Sequence, residues 1–178
     1  MLLLDRDGAA TDGWTRTEGA AIGNLSRALV SFDALPEALA QLAPDQQIGV
    51  LIPNALAVSE LEPFLPRLSL IAIGFPAFAD GRGFSQAKAI RRAGYTGALR
   101  ASGPLIPDQF DYALACGFDE IELPDASAGR QSILQWQQAR GRLSQTYQRG
   151  YNRDGNILER RKRARTSSDS ASRGSTAT

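Results

Sequence analysis

The sequence predicts an α/β fold of repeated βα units, about five mostly parallel strands with helices, and three observations predict it. Short apolar runs of β type recur at residues 28–32, 48–52, 70–73, 97–101 and 120–123. A stretch with helical spacing of apolar positions follows each of them. The runs lie roughly 20 residues apart, too far for hairpin turns and right for crossover helices, which carry parallel pairing. Two architectures satisfy this pattern: an open three-layer sheet of the flavodoxin or Rossmann type, and a partial βα barrel. A closed eight-stranded barrel usually needs more than about 200 residues, and this chain has 178. In both alternatives ligands bind at the carboxyl ends of the strands, which directs the search for chemistry.

Taken in order, residues 1–20 form an N-terminal extension rich in Gly and Asp, in which Trp14-Thr15-Arg16 fits an edge strand. Residues 21–150 form a single α/β domain. Asp33 and Pro36 open its first helix, which runs to Leu42. Ser59-Glu60-Leu61-Glu62 fits a capping box at the start of the second, and Pro66 ends that helix early. Ser85 caps the third helix and Gly94 stops it; Pro107 starts the fourth, which turns Phe110, Ala113 and Leu114 to one side and closes at Gly117. A final helix over residues 132–148 aligns Ile133, Trp136, Leu143 and Tyr147 on one stripe interrupted by Arg140, packing on the sheet and leaving an edge for a partner.

Composition removes several chemistries. The chain has no histidine and one cysteine, Cys116. It therefore has no imidazole general base, no His-ligated metal, no Ser-His-Asp triad and no intramolecular disulfide. Metal-ligand sets are accordingly expected to be none. Cys116, just before a helix-ending glycine, reads as a core residue. No basic leader precedes the opening leucines, and the longest apolar stretch, residues 68–78, is short of the roughly 20 residues a bilayer demands. The expected setting is cytoplasmic, with no membrane partner. Residues 1–158 carry 14 basic and 17 acidic side chains, a net of −3, and residues 159–178 carry six and two, a net of +4. The tail, residues 151–178, is basic and rich in Ser and Thr, and is expected to be disordered. The folded part, mildly acidic, offers no support for nucleic-acid binding.

The most informative segment leaves the third run: Gly74-Phe75-Pro76-Ala77-Phe78-Ala79-Asp80-Gly81-Arg82-Gly83-Phe84-Ser85. Glycines let backbone N–H groups approach a ligand, a helix start offers unpaired donors and a positive dipole end, and the Arg82 fork suits oxyanions. Arg82, Gly83, Ser85 and Lys88 are thus candidate anion-binding residues. Arg100, near the next strand end, would put a second guanidinium at the same mouth. The alternative is a sharp turn in which Asp80 pairs with Arg82, Ser85 is an ordinary cap, and Arg100 pairs with Glu120 or Glu122 on the adjacent strand. The cradle alone would hold an anion only near millimolar, about 4 kcal/mol. Asp80 and Asp108 are the carboxylates placed to act as acid or base there.

Phe75-Pro76-x-Phe78-x-Asp80-Gly81-Arg82-Gly83-Phe84-Ser85, followed by Tyr95-x-Gly97-x-Leu99-Arg100-Ala101-x-Gly103, Asp108-Gln109 and Cys116-Gly117-Phe118-Asp119, resembles the bacterial family known as domain of unknown function 934. Two departures stand out: Pro104-Leu105-Ile106-Pro107 replaces a more polar, acidic stretch, and the Arg/Ser-rich tail is private to this chain. The resemblance implies a role in assimilatory sulfite reduction, with an oxidoreductase label that rests on gene position beside sulfite reductase and sulfate-assimilation genes. It brings neither a catalytic residue nor a cofactor. With one cysteine and no histidine the chain cannot supply the ligands of an iron–sulfur cluster or sirohaem, which excludes a self-contained sulfite reductase. The resulting expectation is an accessory protein that docks on sulfite reductase or its electron donor. The alternative is a small enzyme that binds an oxyanion or a phosphate-bearing cofactor through residues 80–85, with Asp80 or Asp108 as acid–base.

Overall fold

A computed structural model describes residues 1–139. Leu143, Tyr147, Arg140 and the tail at residues 151–178 lie outside the described residues. The strands are β1 (Leu2–Asp5), β2 (Ala9–Ala10), β3 (Thr15–Arg16), β4 (Arg27–Ser31), β5 (Gln47–Pro53), β6 (Leu70–Gly74), β7 (Ala98–Ser102) and β8 (Glu120–Leu123). They form one sheet in the order β2-β1-β8-β7-β6-β5-β4-β3. From β3 through β8 every neighbouring pair is parallel, whereas β1 joins β8 and β2 antiparallel. Eight strands therefore stand where five βα strands and an edge strand at residues 14–16 were expected: β3 takes that edge position, and β1 and β2 are the additions. β2 has only two residues, too short for a periodic pattern to show.

The helices are α1 (Leu35–Gln41), α2 (Val58–Leu61), α3 (Arg82–Arg92), α4 (Phe110–Cys116), α5 (Asp125–Ala128) and α6 (Ile133–Ala139), with tighter 3-10 turns at Glu62–Arg67 and Pro107–Gln109. Because β4 to β8 lie side by side in chain order, successive crossovers bring their helices to the same face of the sheet. Val30, Val50, Ile71, Leu99 and Ile121 point to that face and join Leu35, Ala87 and Ala113 in the main core. The sheet is thus wound in one direction, as in a partial barrel, and among the described residues helices cover only one of its faces.

The other face has a different filling. Leu29, Leu70 and Ala72 form a small apolar cluster there, with Trp14 of the N-terminal segment laid against it. Gly49 makes room for the indole: a Cβ at that position would lie 3.1 Å from the Trp14 ring. The sheet curls far enough for Arg16 on β3 to reach Ser102 on β7 and Glu122 on β8.

Two helix starts differ from expectation. Neither Ser59 nor Ser85 caps a helix: α2 begins at Val58 behind Ala57, and α3 begins at Arg82 behind Gly81, both without a side-chain cap. Pro36 does sit in the first turn of α1, and Gly117 ends α4 in the left-handed conformation, φ +106°.

Candidate functional site

Among the described residues polar side chains gather in two groups, one at the carboxyl end of β6 and one around Arg100 in the middle of β7. The first is the segment between β6 and α3. Its entry is pinned by the Phe75 N–H donating to the Ser102 carbonyl at 2.7 Å. Gly103 faces it with φ +150°, a conformation that L side chains rarely adopt, and a Cβ there would stand 2.2 Å from the Phe75 carbonyl oxygen. On the opposite side, Gly83 leaves space for the Phe75 ring, 2.4 Å from where a Cβ would be. Further along, the Gln109 amide donates to the Phe78 carbonyl at 2.7 Å. The ring of Phe78 remains outside, 53% exposed, and Tyr112 on α4 is 43% exposed.

Asp80 closes the segment. Its Oδ1 accepts from the Arg82 backbone N–H at 3.2 Å and from Nε at 2.9 Å, and its Oδ2 accepts from Nη2 at 2.6 Å. The Arg82 guanidinium, and after it the Asn54 side chain at the end of β5, hold the Asp80 carboxyl well below the usual carboxylate range against the opposing effect of burial. The cradle foreseen around Gly81-Arg82-Gly83 is filled by the chain's own carboxylate.

The second group lies on the sheet face of Leu29, Leu70 and Ala72, which no helix among the described residues covers. Arg100, 1% exposed, is gripped by three carboxylates. Its Nη atoms bind both oxygens of Asp12 at 2.7 and 2.9 Å, its Nε reaches Glu120 at 2.8 Å, and Nη1 also reaches Glu122 at 3.0 Å. Arg16 adds a second cation to Glu122 and touches the Ser102 hydroxyl at 3.2 Å. Burial works to lower the Arg100 pKa, but Asp12 and Glu120 outweigh it and raise it further. Burial likewise pushes the Asp12 carboxyl up, and the hydrogen bonds from Arg100 and the Trp14 N–H bring it below its ordinary value.

The structure separates residues that the sequence grouped. Arg82 and Arg100 hold different carboxylates and share no anion. Ser85 is exposed within α3. Lys88 is drawn toward α4, its Nζ 5.1 Å from the Tyr112 ring centre. Asp108 is exposed on the Pro107–Gln109 turn. Cys116 is buried, and burial pushes its thiol up, with Lys88 and Tyr112 pulling partly back. Among the described residues no group of three or more His, Cys, Asp or Glu is arranged to hold a metal ion. No helix among them is long and apolar enough to cross a membrane.

Sequence reasoning missed Asp12, Arg16, Gln86 and Arg91. Gln86 on α3 donates to the Pro53 and Leu56 carbonyls, fixing the turn that carries Asn54. Arg91 binds the carbonyls of Tyr95, Gly97 and Gly117 and the Asp119 carboxylate, stapling the ends of α3 and α4 to the start of β7. A signal did exist for the cluster around Arg100: charged residues alternate with apolar ones in Glu120-Ile121-Glu122-Leu123, beside a strand carrying Arg100.

The family model described as a bacterial protein of unknown function, DUF934, matches residues 49–157. No curated protein matches the chain. The match takes in the segment from β6 to α3 and the strands with Arg100, Glu120 and Glu122, but begins after Asp12, Trp14 and Arg16.

Proposed function

This chain belongs to the bacterial protein family of unknown function DUF934, and from that premise we propose that it is an accessory protein of assimilatory sulfite reduction that docks on the reductase or its electron donor. The observation that carries the reading is the state of the family's own motif. Its Asp80 and Arg82 are spent on each other, its backbone is braced by Ser102, Gly103 and Gln109, and its apolar tip, Phe78, faces solvent, as Tyr112 on α4 does in part. A rigid segment with an exposed aromatic ring offers contact area at little ordering cost, which suits a binding surface better than a reactive centre.

Residue chemistry supports the same direction. The single thiol is buried, and the carboxyl of Asp80 is held too low to be a useful base near neutral pH. The second reading, a small oxidoreductase or other enzyme that binds an oxyanion or a phosphate-bearing cofactor through residues 80–85, draws on the donors that converge at Asp80.

Purification of the tagged full chain from its native cell separates the two readings. Docking expects sulfite reductase or its electron donor to co-elute, and Phe78→Asp together with Tyr112→Asp to abolish co-elution while circular dichroism is unchanged. Failure to recover any reductase component defeats the docking reading. A bound chromophore in the visible absorbance spectrum, with no reductase recovered, favours the enzyme.

A further inference from the structure

The outer side of α3 differs in charge from the rest of the described chain. Residues 1–139 carry ten basic and 16 acidic side chains, a net of −6. α3 alone holds four of the ten, Arg82, Lys88, Arg91 and Arg92, and no acidic residue. Gly83, Phe84, Gln86, Ala87 and Ile90 are buried, so Arg82, Ser85, Ala89 and Arg92, three or four residues apart, share the side turned to solvent. Arg91 is withdrawn from it, 13% exposed, and spent on Asp119. Asp80 offsets Arg82. Lys88 remains, its ammonium 5.1 Å from the Tyr112 ring centre, together with Arg92, which is exposed and makes no ion pair among the described residues.

Exposed apolar residues lead into this helix. Pro76, Ala77, Phe78 and Ala79 are solvent-facing positions in a row, and Gln109 holds the Phe78 carbonyl against the start of α4. Tyr112 on α4 packs on Phe84 of α3, with 5.0 Å between ring centres. A fixed aromatic tip beside exposed cations is the make-up of a protein-binding surface, in which aromatic residues and arginine are enriched. The exposed charge just before α4 is of the opposite sign, Asp108. Positive charge therefore lies on the α3 side of the tip.

We propose that the outer side of α3 and the tip at residues 76–79 dock on an acidic protein surface, whose apolar pocket takes Phe78 and whose rim of carboxylates meets Lys88 and Arg92. This names the chemistry of the partner in the docking reading and rests on that reading. Charge complementarity fixes the sign. An acidic partner is repelled by the described chain as a whole, net −6, and attracted by α3, so the field turns it toward one side. An anionic bilayer, flat and extended, would meet that repulsion over its whole contact area. α3 is about 16 Å long, and exposed charges act over about 8 Å at physiological salt. Arg92 therefore works at the rim: Phe78 supplies affinity, and the cations supply orientation and association rate.

The test uses the sulfite reductase component or electron donor that co-elutes with the full chain, and measures association and dissociation rates across a salt series. Lys88→Glu with Arg92→Glu should weaken binding about tenfold or more, mainly through a slower association that salt no longer affects. Arg92→Glu alone, at an exposed position, should act in the same direction and serves where the double variant fails to fold. Arg92→Lys, which keeps the charge, should bind as wild type does, and Asp108→Asn as tightly or more tightly. Phe78→Ala should instead speed dissociation. Binding that is lost with Phe78→Ala but indifferent to salt and to Arg92→Glu overturns the acidic rim and leaves the docking reading standing, whereas recovery of no reductase component defeats both. A dimer of the chain that Phe78→Ala dissolves, seen by sedimentation, or binding to phosphatidylglycerol vesicles that Arg92→Glu abolishes, gives the surface to another occupant and overturns the proposal.

Discussion

Asp12 sits in a stretch of Ala, Thr, Asp and Gly without periodic signal, yet its carboxylate takes two hydrogen bonds from an arginine 88 residues further along. The neighbouring contacts of that arginine were legible. Arg100 is directly opposite Glu120 in the β7–β8 register, and opposite charges on facing strand positions pair. The same local chemistry held for Asp80 and Arg82, close enough in sequence to meet without any fold. Asp12 gives the clearest pH prediction. Its carboxyl is lowered in the folded chain, so its contribution is fully present above the unfolded value of about 3.9 and fades as pH falls through the folded one. Asp12→Asn should reduce the melting temperature near neutrality and flatten its fall below about pH 4. A melting curve as steep with acid in the variant as in wild type would contradict this.

At the scale of elements, the order and type of β4 to β8 and of the helices between them followed from periodicity, whereas two of the helix starts did not. Ser85 lost its cap role because α3 begins at Arg82, where Asp80 already accepts from the first N–H. The capping box at Ser59 failed because α2 is a single turn that passes at Glu62 into a 3-10 segment holding Pro66. The segment from β6 to α3 depends on close backbone approach, which is why Gly103 matters more than its place in a loop suggests. Gly103→Ala meets both a left-handed φ and the Phe75 carbonyl, and should cost about 2 kcal/mol or more. Gly81→Ala, with open space at its Cβ, should stay within about 0.5 kcal/mol. Denaturant unfolding compares the two, and equal effects would show that the segment is not braced as described.

Across the whole molecule, the cluster at Arg100 joins parts that are remote in sequence: β7, β8 and the N-terminal segment that carries Asp12 and Arg16. Removing the cation leaves three carboxylates together in a largely dry place. Arg100→Met should therefore destabilise the chain by about 3 to 5 kcal/mol, read from the urea midpoint at unchanged slope. A loss under about 1 kcal/mol would mean that solvent reaches the cluster and screens it. Trp14, seated over Gly49, completes the same closure by covering the sheet face that no helix among the described residues covers.

The repeat of apolar runs and crossover lengths by itself determined the parallel βα core, because hydrophobic spacing and loop reach act over a few residues at a time. The pairing of Asp80 with Arg82 stood in the sequence as one of two alternatives, since residues two apart can meet without any fold. Only the tertiary structure decided that the sheet is wound in one direction, that β1 and β2 extend it antiparallel beyond β8, and that Asp12 and Arg16 close over Arg100 and Glu122. Those outcomes depend on the curl of the sheet, which sums small twists over eight strands and brings together residues that no local pattern relates.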